Sequence, residues 1–351
     1  MRSNSVKSGK LGDSGELALL ERIRGRATRP ARGELRLGIG DDCAILRPKP
    51  GEELAVTTDL SIDGRHFRLD WHPPEAVGHR TLARGLSDLA SMGARPVAAF
   101  VSLGLPRNLT VARSRQSAWV DRFFEGFLAL ADAHRTPLAG GDLAESPIAV
   151  ADIILVGAVP LGRSFLRSGA RPGDLLFVTG HLGGAAAGLT RLEKLMAGEN
   201  GPVRQFPRSL QPLLAPHLFP QPRIAQGLYL QRRRLANAAI DLSDGLSSDL
   251  AHLCAESGLA AEVDAAALPI HPGATLDQAL NGGEDYELLF TAPPAAKMPR
   301  SLSGVPVTCI GRMIRARSGR GQVTLMTTEG PTPLEARGWQ HFSPGFERRS
   351  S

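Results

Sequence analysis

Acidic residues recur along this chain in short clusters whose spacing could do chemistry. They are Gly40-Asp41-Asp42, Thr57-Thr58-Asp59, Leu86-Ser87-Asp88, Gly140-Gly141-Asp142 and Asp241-Leu242-Ser243-Asp244-Gly245, with a sixth at Gly282-Gly283-Glu284-Asp285. Any one of them has a plain structural account, because Asp beside Gly marks turns and Asp after a strand caps the next helix. Most of the set should fall in turns or at strand ends, where strands of one sheet deliver them to a common edge. Carboxylates gathered there repel one another unless cations neutralise them. Oxygen-only ligands favour hard cations, Mg²⁺ first, and Mg²⁺ binds through one or two carboxylates together with substrate phosphates and water. The pattern therefore predicts several Mg²⁺ ions and a heavily charged phosphate substrate. Ca²⁺ is the second choice, but no D-x-[DN]-x-[DN]-G loop is present.

Other chemistries find less support. The three cysteines, Cys43, Cys254 and Cys309, form no C-x-x-C pair, and Cys43 reads as a core residue of an apolar strand. The nine histidines form no H-E-x-x-H or H-x-H group. Neither a G-x-x-x-x-G-K-[ST] loop nor the protein-kinase signature set occurs. Gly180-His181-Leu182-Gly183-Gly184 could bind a phosphate at a helix N-terminus, although a plain strand-to-helix turn is the simpler account. Nucleotide binding would then rest on aspartate-bridged metals helped by arginines such as Arg163 and Arg167. The net charge of +6 suits polyanionic partners. With no nucleic-acid module recognisable, the Arg22–Arg32 and Arg232–Arg234 clusters read as solvated surface, and no nucleic-acid partner is expected.

The elements that must position these residues alternate. Strands are predicted at 43–47, 54–58, 97–103, 148–157, 174–179, 259–263, 286–291 and 305–310, and helices near 75–92, 111–134, 183–197, 222–234 and 245–257. This order predicts an α/β (α+β) chain of two layered domains. The boundaries are a disordered tail over 1–13, a first domain over 14–160, which the resemblance given below makes the ATP- and Mg-binding one, and a second α/β domain over 161–351. Helix 111–134 carries Trp119, Phe123, Phe127 and Leu130 as a core stripe. In helix 75–92 the residues Thr81, Gly85, Asp88 and Met92 share a face. Gly85 there suits either close approach of a ligand or tight helix packing. The Pro- and Gln-rich segment 201–222 reads as a surface loop. No apolar run is long enough to span a bilayer and no secretory signal opens the chain, so a cytoplasmic protein without a membrane partner is expected.

The ordered set GIGDDCAIL, VTTD, IDGRHF, LSDLASMGA, AGGD, LRSGARPGD, VTG, AIDLSDGLSSDL, GGEDYELLF and RGWQHF, from about Leu37 to Phe342, resembles that of the thiamine-monophosphate kinases. These belong to the aminoimidazole ribotide synthetase-like superfamily. The resemblance implies two α/β domains, a homodimer built on the N-terminal domains, and ATP bound near the subunit interface. It implies that Asp42, Thr57, Thr58, Asp59, Asp88, Asp142, Asp241 and Asp244 are Mg²⁺ ligands, with K⁺ left open as a further ion. Gly141, Asp142, Arg167 and Ser243 would contact ATP, and His66, Glu284 and Trp339 thiamine phosphate. Trp339 could stack on a thiamine ring, Glu284 could accept from the amino group, and His66 could donate to the phosphate. Gly85 stands where the family often has Asn, Leu143 where it has Thr, and Ile62–Phe67 departs from Val-Glu-Gly-Val-His-Phe. None of these changes removes a carboxylate.

The acceptor of such an enzyme is a phosphate monoester, with a second pKa of ~6, and needs no base to become a nucleophile. The obstacle is electrostatic, since like charges at 4 Å repel by ~4 kcal/mol at an effective dielectric of 20. Direct in-line transfer without a catalytic side chain or phosphoenzyme is expected. The competing readings are another ATP-using enzyme of the same superfamily, and an inert phosphate- or nucleic-acid-binding protein on the same fold.

Overall fold

The computed structural model describes residues 16–27, 33–112, 117–197, 206, 208–316 and 321–339. The tail expected over 1–13 lies outside the described residues, as do 201–205 and the end of the RGWQHF motif.

Helix α1 (Glu16–Ala27) precedes a small hairpin of β1 (Leu35–Leu37) and β2 (Ile45–Leu46). There follow β3 (Glu52–Ile62), α2 (Pro74–Ser91), β4 (Arg95–Leu105), α3 (Trp119–Ala133), β5 (Leu138–Glu145) and β6 (Val150–Pro160). These strands form a sheet in the order β3-β6-β4-β5. Only β4 and β5 are parallel, and α3 supplies the crossover that a parallel pair requires. Phe123, Phe127 and Leu130 of α3 are buried, with Trp119 stacked on Phe123, so the expected stripe faces the core. Burial alternates along β3: Thr57, Asp59 and Ser61 turn inward, while Leu54, Val56, Thr58 and Leu60 emerge on the outer face.

The second half contains β7 (Leu175–Thr179), α4 (Gly184–Met196), α5 (Gln211–Leu218), α6 (Ile224–Arg233), β8 (Ala238–Asp241), α7 (Leu246–Ser257), β9 (Leu259–Asp264) and α8 (Leu276–Asn281). It continues with β10 (Leu288–Ala292), β11 (Ser301–Leu302), β12 (Val305–Arg315), β13 (Val323–Thr327) and β14 (Gly330–Pro333). Its sheet runs β14-β13-β9-β12-β7-β10-β8, with β11 pairing to β12. One core joins the halves: Leu82, Leu86 and Leu89 of α2 belong to the same apolar cluster as Leu230 of α6 and Leu288 and Phe290 of β10. Helix α2 is therefore buried along most of its length, and any charge on it must find a partner. Among the described residues no helix is long and apolar enough to cross a membrane.

Three expectations need correction. Segment 201–222 is not a surface loop throughout: Leu214 and Leu218 of α5 are buried with Ala76 of α2 and Leu192 of α4. The Pro-rich composition concealed this, because Pro212 falls in the first helical turn, where its missing N–H costs nothing. Cys43 is exposed, since only Ile45–Leu46 of the predicted strand 43–47 pairs. Asp59 and Asp142 lie within β3 and β5, not at strand ends.

Candidate active site at the junction of the two sheets

Helix α2 organises the site. Four polar residues at helical spacing, Arg80, Arg84, Ser87 and Asp88, each reach a different acidic or hydroxyl partner. Arg80 Nη2 donates to both Glu284 oxygens, at 2.8 and 2.7 Å. Arg84 Nη2 pairs with Asp59 Oδ1 at 3.2 Å. Ser87 Oγ donates to Asp241 Oδ2 at 2.7 Å, and Asp88 accepts from Thr57 Oγ1. Strand β3 of the first sheet, helix α2 and strand β8 of the second sheet thus bring Thr57, Asp59, Asp88 and Asp241 together.

The electrostatics match this crowding. Burial and then the Asp241 charge push the Asp88 carboxyl far above the usual range. Asp241 is raised likewise, by burial and then by Asp249. Asp59 is raised by burial, with Arg84 opposing. The charge of Arg167, expected to contact ATP, acts on both Asp88 and Asp241 in the lowering direction. Gly85, in contrast, serves packing: a Cβ there would lie 2.3 Å from Leu155 Cδ1 of β6.

The second half adds two segments zipped together. Glu284 N donates to Ser243 O at 2.8 Å and Tyr286 N to Leu242 O at 2.9 Å. Glu284 and Tyr286 adopt φ of 67° and 51°, a backbone cost of the kind concentrated at functional sites. Asp249, which the sequence reading passed over, accepts from the backbone N–H groups of Ser243, Asp244 and Gly245 through one oxygen, each at 3.1 Å. Burial, then Asp244, raises its pKa to about 7. The D-x-S-D-G-x-x-x-D spacing was the available signal for it. Trp339 N donates to Asp244 O at 3.1 Å, and the Trp339 side chain stays partly exposed. His66 Nδ1 accepts from Ile62 N at 3.1 Å, so the neutral ring carries its proton on Nε2, as donation to a phosphate requires. His66, Glu284 and Trp339 are thereby joined through Arg80, Ser243 and Asp244 beside the carboxylate group.

Asp42 and Asp142 stand apart from that group. With Gly140, Gly141 and Phe124 they line a cavity of about 350 Å³ at the β5 edge of the first sheet. Strands β6 and β4 separate β5 from β3, a displacement of roughly 14 Å at normal strand spacing. Gly141 is required there: its φ is 154° and a Cβ would lie 1.9 Å from Val101 O. Thr58 also departs from expectation, since strand alternation turns its side chain to the face opposite Thr57 and Asp59. The turn Gly180–Gly184 holds an internal carboxylate: Asp285 accepts from Gly183 N at 2.6 Å and Ala185 N at 3.0 Å, at the start of α4. The plain-turn reading of that segment therefore stands.

Among the described residues no three His, Cys, Asp or Glu side chains close on a point as a preformed metal cage. The donor set, oxygen-only and crowded enough for its members to raise one another's pKa, fits Mg²⁺, which draws much of its coordination from substrate and water.

The fold and site define a class. Residues 40–163 match the family AIR synthase related protein, N-terminal domain, and residues 171–324 match its C-terminal domain. The thiamine-monophosphate kinase of Escherichia coli (strain K12) is 38% identical over 341 residues, spanning 94% of this chain and 98% of the relative. A crystal structure of thiamine-monophosphate kinase from Stenotrophomonas maltophilia K279a superposes with a TM-score of 0.74 at 38% identity, covering 88% of this chain and 96% of the other. The structure of AaThiL complexed with AMPPCP and TMP gives 0.70 at 31% identity, covering 96% and 100%. The chain belongs to the thiamine-monophosphate kinase family.

Proposed function

We propose that this chain transfers the γ-phosphate of ATP to the phosphate of thiamine phosphate, yielding thiamine diphosphate and ADP. What supports the reading above all is that segments carrying His66, Glu284 and Trp339 are hydrogen-bonded into the same junction as Asp59, Asp88 and Asp241. A substrate seated on the first three would present its phosphate to the acidic group.

In this reading Asp59, Asp88, Asp241 and Asp244 hold Mg²⁺ on the junction side and Asp42 and Asp142 at the β5 edge. When bound, Mg²⁺ screens the repulsion between donor and acceptor phosphates. Thr57 and Ser87 orient Asp88 and Asp241 by hydrogen bonds, and Arg84 keeps Asp59 partly neutralised. Arg167, Gly141 and Ser243 contact ATP. His66 donates from Nε2 to the acceptor phosphate, and Trp339 lies against a thiamine ring. No side chain need remove a proton, since the acceptor oxygen is already ionised near neutrality. Residues 14–160 form the ATP- and Mg-binding unit and 161–351 the second unit.

The reading extends to a homodimer. Leu54, Val56 and Leu60 of β3 are 42%, 62% and 47% exposed on the outer face of the first sheet, an apolar row that a second copy would cover. Such pairing offers a way to bring the β5-edge carboxylates of one subunit toward the junction of the other. The cysteines are free, which suits a reducing cytoplasm.

The test is an assay for thiamine diphosphate with ATP and Mg²⁺. Asp88→Asn and Asp241→Asn should each lower turnover by about 100-fold or more. A wild-type chain that makes none from thiamine phosphate would overturn the proposal.

A further inference from the structure

Arg80 has no role in the reading so far, yet one guanidinium ties together three segments from both halves of the molecule. Its Nη2 donates to the carbonyl of His66 at 3.1 Å and to both oxygens of Glu284. Its Nη1 donates to the His217 carbonyl of α5 and lies 3.2 Å from His217 Nδ1. The Arg80 side chain is 6% exposed, while that of Glu284 keeps 27%. The cation therefore stands behind the carboxylate, and the carboxylate faces the open side. The Arg80 charge offsets the burial of Glu284 and, with Arg84, holds its pKa below the ordinary value.

The surroundings leave Arg80 little freedom. On its far side the His217 ring packs against a second buried imidazole, with His217 Nε2 3.0 Å from His72 Nε2. His72 Nδ1 accepts from Arg68 N at 3.1 Å. Burial lowers the pKa of both rings, so both are neutral beside the guanidinium. Two backbone carbonyls and one carboxylate thus hold the guanidinium from different directions, with the His217 ring packed alongside. A planar cation held through both terminal nitrogens fixes angle as well as position.

We infer that Arg80 is a positioning residue for recognition of the substrate's aminopyrimidine end, acting through Glu284. It keeps that carboxylate ionised, aims its remaining lone pairs at the substrate amino group, and sets its separation from His66. The inference rests on the assignment of Glu284 and His66 to thiamine phosphate. ATP binding, which uses other groups, should not feel it.

The experiment is a double-mutant cycle. Arg80→Met, Arg80→Lys and Glu284→Gln are made singly, and each Arg80 variant is combined with Glu284→Gln. The KM for thiamine phosphate, the KM for ATP, kcat and the urea midpoint are measured for each. Arg80→Met should raise the KM for thiamine phosphate by about 10- to 100-fold, and Arg80→Lys by less. The KM for ATP should stay within about twofold. In the Glu284→Gln background neither Arg80 change should raise the thiamine phosphate KM further, because the group through which Arg80 acts is already altered. Additive effects on that KM, or an equal loss of ATP affinity, would overturn the inference. If Arg80→Met does not fold, the Lys cycle decides alone, since Lys keeps a cation against the buried carboxylate. A wild type inactive on thiamine phosphate would bring down the functional reading itself. An active wild type with an additive cycle removes only the role of Arg80.

Discussion

Asp88 and Asp241 show how crowded, buried carboxylates burden the protein that carries them. Both are buried and both are raised, first by desolvation and then by like charge. A group with a raised folded pKa holds protons that the unfolded chain has released. Its stabilising contribution is full below the ordinary carboxylate range and is lost as pH rises through the folded value. Thermal scans of the chelator-treated protein should therefore show Tm falling between about pH 5 and pH 8. Asp88→Asn can still accept from Thr57. It should flatten that fall and raise the high-pH stability by roughly 1–3 kcal/mol, while removing turnover. Added Mg²⁺ should restore the wild type and not the variant. A variant whose Tm follows the wild type across the range would count against the shared-burden account.

At the scale of elements, α2 is the piece on which everything is assembled. Its residues separated by three or four positions serve different masters: Leu82, Leu86 and Leu89 the core, Arg80, Arg84, Ser87 and Asp88 the site. Its glycines allow neighbours to press in. A Cβ on Gly78 would lie 1.9 Å from the Phe123 carbonyl oxygen of α3, while one on Gly85 would meet only the movable end of Leu155. Gly78→Ala should cost about 3 kcal/mol or more, read from the urea midpoint. Gly85→Ala should cost far less, since helix propensity returns about 0.5–1 kcal/mol. Both should leave the KM values of the folded fraction unchanged. A Gly85→Ala enzyme of wild-type stability that had lost substrate affinity would revive the alternative, in which that glycine lets a ligand approach.

For the whole molecule, the outer face of the first sheet is the open question with the plainest test. Val56 stands at the middle of the apolar row on β3. Val56→Lys should leave the chain folded and shift it from dimer to monomer in sedimentation at micromolar concentration, with kcat falling by at least about tenfold if subunits complete each other's sites. A wild type that sediments as a monomer and remains active would dismiss both the dimer and the shared site.

The acidic clusters, the two-layered α/β class and the core stripe of α3 were legible from residue types and periodicity, because each depends on local spacing along the chain. Asp88 and Glu284 could be singled out as chemistry-bearing on the same ground. Partnership was not legible. Nothing within the segment 75–92 says that Arg80 meets Glu284, and nothing within 201–222 says that His217 seats beside Arg80, since these contacts join residues 204 and 137 positions apart. Strand position was equally hidden: that Asp42 and Asp142 lie at the β5 edge while Asp59 lies on β3 follows from the strand order β3-β6-β4-β5. Local sequence sets side-chain type and period, whereas strand order and helix packing arise from the collective burial of apolar surface. For that reason only the tertiary structure decided which charges neutralise one another and which keep an open side.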